Sequence, residues 1–96
     1  MKQPCVYLLT NRKNGVLYIG VTSNLPKRIE EHRGGFVDGF CKRYNLHRLV
    51  WFELHECISA AIEREKELKK WRRSWKVEMI ERENPDWRDL AATLGW

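Results

Sequence analysis

Ninety-six residues suffice for one domain with a modest core, and are too few for a catalytic domain beside a separate targeting domain. The formal net charge of +5 and the isoelectric point near 9.3 favour a polyanionic partner, because Lys and Arg that neutralise phosphates release condensed counterions. No apolar signal segment opens the chain and no apolar run reaches the bilayer-spanning length of about 18 residues, so we expect a cytoplasmic protein without a membrane partner.

Two β-rich runs come first, Cys5 to Thr10 and Val16 to Val21, separated by turn-forming residues. This pattern predicts a β-hairpin. Tyr7 and Tyr18 come near one another across such a strand pair, so we expect both hydroxyl groups on one face. Gly20, near the end of the second run, permits close approach of backbone or ligand.

A short helix should follow the hairpin. Thr22 to Asn24 supply capping side chains, and a helix is predicted from Leu25 to about Arg33, ended by a pair of glycines. Arg28 and His32, four positions apart, share one face of that helix. Next to a tyrosine at a strand end, they can converge on a phosphate group.

Residues 34–47 contain several glycines and are weakly patterned, so we expect a loop that can include a short helical turn. Its rings and cations suit a groove for unpaired bases and backbone, since stacking tolerates any base sequence. Core packing of the two phenylalanines is the alternative. The side chains concerned are Phe36, Phe40, Lys42, Arg43 and Tyr44.

The run Leu49 to Leu54 predicts a third strand, and Ser59 is placed to cap a longer helix ending near Arg72. On a helical wheel, apolar residues line one side of that helix and Glu65 falls among them. A carboxylate there is costly unless it is paired, with Arg28 or Arg72 for example, or ligates a metal such as Mg²⁺. The apolar positions are Ile58, Ala61, Ile62, Leu68 and Trp71.

Two helices should complete the chain. One is predicted from Ser74 to about Glu83, where Asn84-Pro85 stops it, and a last short one lies within Asp86 to Leu94. We expect the tryptophans and leucines of this half to pack inside. The expected core positions are Trp51, Trp71, Trp75, Trp87, Leu90 and Leu94.

The three cysteines, Cys5, Cys41 and Cys57, are widely spaced and lack both a C-x-x-C pair and a histidine at zinc-ligand spacing. We therefore expect buried, reduced thiols.

Seven Lys and Arg residues crowd into residues 64–76, with Trp71 and Trp75 among them. Such a run alone is typical of a solvated helix face. Together with the overall basic charge it favours nucleic acid as the partner, ahead of an anionic membrane surface. The side chains expected to contact nucleic acid are Lys42, Arg43, Lys69, Lys70, Arg72 and Arg73.

An ordered set of residues resembles the motifs of the GIY-YIG nuclease domain, and of its small stand-alone bacterial members in particular. It comprises Tyr7, Tyr18-Ile19-Gly20, Thr22, Leu25, Arg28, His32, Glu65-Lys66, Lys70-Trp71 and the tail from Asn84 to Leu90. Cys5-Val6-Tyr7 stands where the family has Gly-Ile-Tyr, and keeps the tyrosine. The resemblance covers almost the whole chain, residues 1–96 being read as one domain. It implies an α+β fold, a small three-stranded antiparallel sheet flanked by helices, with the active site across one sheet face.

The resemblance also implies roles. Glu65 resembles the family's protein ligand to a divalent metal, Mg²⁺ or Mn²⁺, which acts as a Lewis acid at the leaving oxygen. Arg28 would stabilise charge on the phosphoryl oxygens. Tyr7 and Tyr18 resemble the pair that supplies the water-activating base, and His32 would relay the proton or contact phosphate.

Each residue also has a plainer interpretation. Arg28 can be a surface or Glu-paired arginine, His32 a helix-surface residue, and the tyrosines half-buried strand aromatics. Asn84 would orient the metal site or a phosphate, or simply end the helix before Pro85.

We therefore expect a metal-dependent endonuclease that hydrolyses phosphodiester bonds in DNA. The small size favours recognition of branched, flapped or single-stranded structure over long sequences, or delivery by a partner protein. A non-catalytic nucleic-acid-binding module with a nuclease-like fold is the alternative, and a subunit that docks on an acidic protein is a third possibility.

Overall fold

The computed structural model describes residues 3–34 and 39–96, which form a three-stranded antiparallel sheet with helices packed on both faces. The strands are β1 (Cys5–Thr10), β2 (Leu17–Thr22) and β3 (Arg48–Leu54), in the spatial order β2-β1-β3. The helices are α1 (Leu25–Arg33), α2 (Gly39–Tyr44), α3 (Ile58–Lys69), α4 (Arg73–Glu83) and α5 (Leu90–Thr93). The predicted α+β architecture is confirmed.

The central strand β1 divides the interior into two cores, because all of its residues are buried and successive side chains point to opposite faces. On the face that carries Tyr7 and Tyr18, which we call the tyrosine face, α1, α2 and α5 pack against the sheet. Val6 and Leu8 point the other way, into a core shared with α3 and α4. We call that side the α3 face.

The hairpin and the first helix follow their local sequence signals. Tyr7 pairs with Gly20 and Leu9 with Tyr18, so the two tyrosines are diagonal neighbours on one face, as predicted. The Asn24 side chain accepts a hydrogen bond from the backbone N–H of Lys27 at 3.3 Å and caps α1. The predicted bounds of this helix are confirmed.

The side chain of Asn84 forms a hydrogen bond to a β-bulge in β3. The register between β1 and β3 shifts at Leu8/Leu9, which leaves Val50 without a partner across the ladder. The amide nitrogen of Asn84 donates to the Val50 carbonyl at 3.0 Å and to the Arg88 carbonyl at 3.0 Å, and its oxygen accepts from the Arg88 N–H at 3.0 Å. Asn84 therefore ends α4 and ties the following turn to the sheet.

The predicted start of α3 is wrong. Cys57 occupies the N-cap position without a side-chain capping bond, and Ser59 lies inside the helix. The buried side of α3 also includes fewer residues than the helical wheel predicted. Ala61 and Leu68 are buried, whereas Ile58 and Ile62 are exposed.

The expected core positions separate into two groups. Trp51 and Trp87 are buried, Trp71 is half-buried, and Leu90 packs partly buried on the tyrosine-face core. Trp75 and Leu94 are each 48% exposed, so their assignment to the core is wrong. Trp87 lies outside any helix, in a turn with φ +54°, and α5 is shorter than predicted.

Two further expectations are corrected in part. Cys5 and Cys41 are buried, but Cys57 is exposed, so only two thiols fit the expected pattern. Burial raises the pKa of Cys5 to about 11, while the hydrogen bond from Ser59 lowers the pKa of Cys57. Residues 39–44 of the predicted loop form α2, and Phe36 lies outside the described residues.

Within residues 3–34 and 39–96, none of the helices is both long enough and apolar enough to cross a membrane.

Replacing Asn84 by Ala should lower the free energy of unfolding by about 2 kcal/mol, because the buried Val50 carbonyl and the partly buried Arg88 carbonyl lose their donor. Urea denaturation of the two proteins measures this. Ser59→Ala is the control, expected within about 0.5 kcal/mol of wild type since Ser59 does not cap α3. Equal stabilities for wild type and Asn84→Ala would show that the bulge does not need this side chain.

Candidate active site

Three ring side chains from three different elements meet on the tyrosine face. Tyr7 comes from β1, Tyr18 from β2 and His32 from α1. Their ring centroids are separated by 6.4 Å for Tyr7–Tyr18, 6.1 Å for Tyr7–His32 and 6.0 Å for Tyr18–His32. The Tyr7 Oη and His32 Nε2 lie 3.4 Å apart, at the long end of hydrogen bonding. We call these residues the ring cluster; in it His32 is buried, not on the helix surface.

Gly20 is required by the Tyr7 side chain. A Cβ atom at position 20 would lie 2.4 Å from both Cζ and Oη of Tyr7, far inside van der Waals contact. The phenol ring thus lies directly over the bare backbone of the neighbouring strand, where the register places Gly20 opposite Tyr7. The close approach expected at this glycine is made by a protein side chain.

Burial dominates the acid–base behaviour of Tyr7. Loss of solvation raises the pKa of this phenol well above its ordinary value, Tyr18 raises it further, and the charge of Arg28 acts in the opposite direction. Tyr7 is therefore protonated at neutral pH and can donate a hydrogen bond to His32 Nε2. Tyr7 is therefore a hydrogen-bond donor in this structure, and it would have to lose its proton to act as a base.

Arg28 lies one helical turn before His32, with its side chain 41% exposed. Its Nε is 3.2 Å from Oε1 of Glu31, so the Glu-paired interpretation holds in this structure. Sequence reasoning did not single out Glu31, although the i,i+3 spacing on a helix was the available signal. Arg28 also borders a polar cavity of about 270 Å³. That cavity is lined by Thr22, Ser23, Asn24, Lys27, Arg28 and Glu31.

Glu65 lies on α3, which packs on the α3 face of the sheet against β2 and β1. Its side chain is only 15% exposed, and its Oε2 forms an ion pair with Lys69 Nζ at 3.3 Å. The helical neighbour Lys69, rather than Arg28 or Arg72, is thus the pairing partner seen here. The helix that carries Glu65 and the ring cluster therefore lie on opposite faces of the sheet, so the expected active site across one sheet face does not include Glu65.

Glu65 is the candidate ligand for a metal ion. Among residues 3–34 and 39–96, no group of three or more His, Cys, Asp or Glu side chains is arranged to hold one. A cage built wholly from protein ligands is therefore not present in this part of the chain. A half-buried single carboxylate fits Mg²⁺, which keeps most of its waters and binds through one or two carboxylates plus substrate phosphates.

The aromatic surface continues outward from the ring cluster along α2. Tyr18 and Phe40 have centroids 6.4 Å apart, and Phe40 and Tyr44 are 4.9 Å apart. The Arg43 guanidinium lies 5.7 Å from the centre of the Tyr44 ring. Phe40 is 46% exposed, so core packing does not account for it. With Lys42 beside them, these side chains form an exposed strip that starts at Tyr18.

The other basic candidates lie at the junction of α3 and α4, away from α2. Lys69 pairs with Glu65, and the Arg72 guanidinium is 5.3 Å from the centre of the Trp75 ring. Arg73 Nη2 donates to the Gly15 carbonyl at 2.7 Å and so fastens this junction to the hairpin loop. Lys70 is exposed. The six basic candidates therefore form two separate groups.

Asn84 has an architectural role. Both hydrogens of its amide are taken by the carbonyls of Val50 and Arg88, and the side chain is buried in the α3-face half of the molecule. This favours the helix-ending interpretation over a contact with metal or phosphate.

Known proteins resemble this chain in sequence and in fold. A family model described as the GIY-YIG catalytic domain matches residues 3–78. A UPF0213 protein of Syntrophus aciditrophicus is 32% identical over 87 residues, covering 90% of this chain and 98% of that protein. A UPF0213 protein of Clostridium perfringens is 37% identical over 75 residues, covering 78% of this chain and 80% of that one.

Among solved structures, the solution NMR structure of a UPF0213 protein from Bacillus halodurans matches with a TM-score of 0.56 at 25% identity. The match covers 92% of this chain and 93% of that chain. The region matched by the family model, residues 3–78, contains Tyr7, Tyr18, Arg28, His32 and Glu65. Asn84 lies beyond it.

Gly20→Ala should displace the Tyr7 ring and lower the free energy of unfolding by about 1–3 kcal/mol through overpacking. In a Tyr7→Ala background the same substitution should cost much less, because the clashing ring is gone. Urea denaturation of the four proteins gives this coupling. Gly39→Ala is the matched control, since a Cβ there meets nothing within 4 Å. Equal costs in both backgrounds would show that Tyr7 does not dictate the glycine.

The raised pKa of Tyr7 predicts a loss of stability at high pH. Above about pH 10 an unfolded tyrosine releases its proton while the buried phenol keeps it, so the free energy of unfolding falls as pH rises. Between pH 9 and pH 11 we expect the free energy of unfolding to fall by about 1 kcal/mol more in wild type than in Tyr7→Phe.

Denaturation titrations from pH 9 to pH 11 check this. Cys5 titrates in the same range in both proteins, so its contribution cancels in the comparison. Tyr44→Phe, which removes an exposed hydroxyl, should retain the wild-type decline. Parallel curves for wild type and Tyr7→Phe would contradict the assignment.

Proposed function

The chain belongs to the GIY-YIG nuclease family, and from that membership we propose that it is an endonuclease that hydrolyses phosphodiester bonds in DNA with a divalent metal ion. The observation that carries the proposal is the convergence of Tyr7, Tyr18 and His32 from three elements on one sheet face, with Arg28 one turn away. Nucleic-acid binding alone would not require a buried phenol–imidazole pair.

Glu65 would hold the metal, Mg²⁺ or Mn²⁺, whose remaining positions would be filled by water and substrate oxygens. When bound, such an ion supplies Lewis-acid stabilisation of negative charge on the phosphate and the departing oxygen. This mostly buried carboxylate faces the Lys69 ammonium at 3.3 Å, which a bound metal ion would displace.

The remaining chemistry falls to the tyrosine face. A water molecule forms a new bond to phosphorus as the bond to the leaving oxygen breaks, and the water gives up a proton. Tyr7 would take that proton as it passes its own to His32 Nε2 across the 3.4 Å contact, so that the phenol stays protonated and His32 is the final acceptor. The departing oxygen takes its proton from solvent.

Arg28 and Lys27 would bind the phosphate itself. Both line the polar cavity at the start of α1, so two cations face a space where a phosphate can lie. Arg28 must then exchange its pairing with Glu31 for the phosphoryl oxygens, and its exposure leaves it able to do so. Charge that develops in the transition state is thereby neutralised.

The proposed substrate is DNA with unpaired nucleotides at the cleavage point. Phe40 and Tyr44 extend the aromatic surface from Tyr18 into solvent, flanked by Lys42 and Arg43. Exposed rings among cations suit stacked bases and their phosphates without sequence preference. Recognition would therefore be directed by structure, and a partner protein can deliver the domain to its site.

Glu65→Gln and Arg28→Ala should each lower the cleavage rate of flapped, branched or single-stranded DNA by at least about hundredfold. Removal of divalent ions with EDTA should abolish cleavage. The assay follows labelled substrates with Mg²⁺ or Mn²⁺. Glu63→Gln is the matched control, because Glu63 is an exposed carboxylate on the same helix. This variant should cleave DNA like wild type.

Cleavage that survives both EDTA and Glu65→Gln would rule out the proposed metal role. Salt-sensitive binding of DNA by all variants, with no cleavage of any substrate, would instead identify a non-catalytic binding module.

A further inference from the structure

The exposed Trp75 lies in the most basic segment of the chain. Residues 69–76 contain five Lys or Arg and no acidic residue. Trp75 itself is 48% exposed, an unusual position for a large ring unless it contacts a partner. The segment is held in place, since Arg73 donates to the Gly15 carbonyl at 2.7 Å. A large ring is thus presented to solvent among positive charges.

A cavity of about 290 Å³ opens beside this ring, between α3 and α4. Trp71 and Trp75 meet edge to face there, with centroids 6.0 Å apart and planes at 82°. The volume is at the lower limit of about 300 Å³ for ligand pockets, which suits a single flat ring. The lining residues are Arg64, Trp71, Trp75, Glu78, Met79 and Arg82.

The charges around the cavity select the kind of ligand. Arg64 lies 5.3 Å from the centre of the Trp71 ring, and Arg72 lies 5.3 Å from that of Trp75. The lining carboxylate, Glu78, is 3.4 Å from Arg82. Arg64 is itself ion-paired with Glu53 and Glu67. Arg72 lies over Trp75 but does not line the cavity, so the face of Trp75 toward the cavity is open to a flat ligand, with the cations of residues 69–76 beside it. A flat ring attached to an anion is the complementary ligand.

We propose that this cavity binds one unpaired nucleobase of single-stranded DNA, stacked on Trp75, while the cations of residues 69–76 hold the adjacent phosphates. The cavity belongs to the α3–α4 layer, which also carries Glu65, whereas the ring cluster lies on the tyrosine face. It is therefore a second contact on the strand, separate from the ring cluster. The inference rests on the proposed function only in taking DNA as the partner.

Trp75→Ala should weaken binding of a short labelled oligothymidylate by about tenfold, as expected for loss of one stacked base. Fluorescence anisotropy in EDTA measures this without cleavage. A duplex of equal length should lose less than about twofold, because its bases are already stacked. Trp75→Phe keeps a ring and should retain most of the affinity.

Leu94→Ala is the matched control, since Leu94 is also 48% exposed but lies outside the basic segment, and it should bind like wild type. The proposal is overturned if Trp75→Ala binds oligothymidylate within about twofold of wild type, or loses as much affinity for duplex. It is equally overturned if the wild type does not bind oligothymidylate.

The two proposals fail separately. If the wild type cleaves DNA and Trp75→Ala binds oligothymidylate with unchanged affinity, the base pocket is contradicted and the nuclease function is supported. If binding depends on the Trp75 ring but the wild type cleaves no substrate, the base pocket is supported and the nuclease function is contradicted.

Discussion

The contact between the Tyr7 ring and the backbone of Gly20 fixes the arrangement of the candidate site. β1 is buried along its whole length, so a phenol on it must find space inside the protein and a partner for its hydroxyl. The missing side chain at position 20 supplies the space, and His32 supplies the partner. The cluster is therefore set by strand register and core packing, and does not depend on a loop.

The same geometry explains why a departure from the family's first motif is tolerated. Cys5 shares the face of Tyr7 and packs in the core beside it, while Val6 points into the opposite core. Both are fully buried. They fill space on either side of the strand, so replacing the family's Gly-Ile by Cys-Val changes packing and leaves the phenol in position.

The sequence alone predicts the structure correctly where short-range patterns determine it. The hairpin register that makes Tyr7 and Tyr18 neighbours, and the Asn24 cap of α1, follow from short-range patterns. The start of α3 did not follow from them, because Cys57 occupies the N-cap position although its side chain makes no capping bond. A helical wheel also gives the direction of a side chain but not the width of the surface that covers it. Ile58 and Ile62, which the wheel placed on the apolar side of α3, are exposed for this reason.

The division between the two sheet faces matters for the proposed chemistry. In an in-line displacement, the attacking water and the leaving oxygen lie on opposite sides of phosphorus. The ring cluster lies on one face of β2 and the helix that carries Glu65 packs on the other. Because β2 is an edge strand, a phosphate at that edge can be approached from both faces. Under the proposed mechanism, groups that assist attack and departure would thus act from opposite sides of that phosphate.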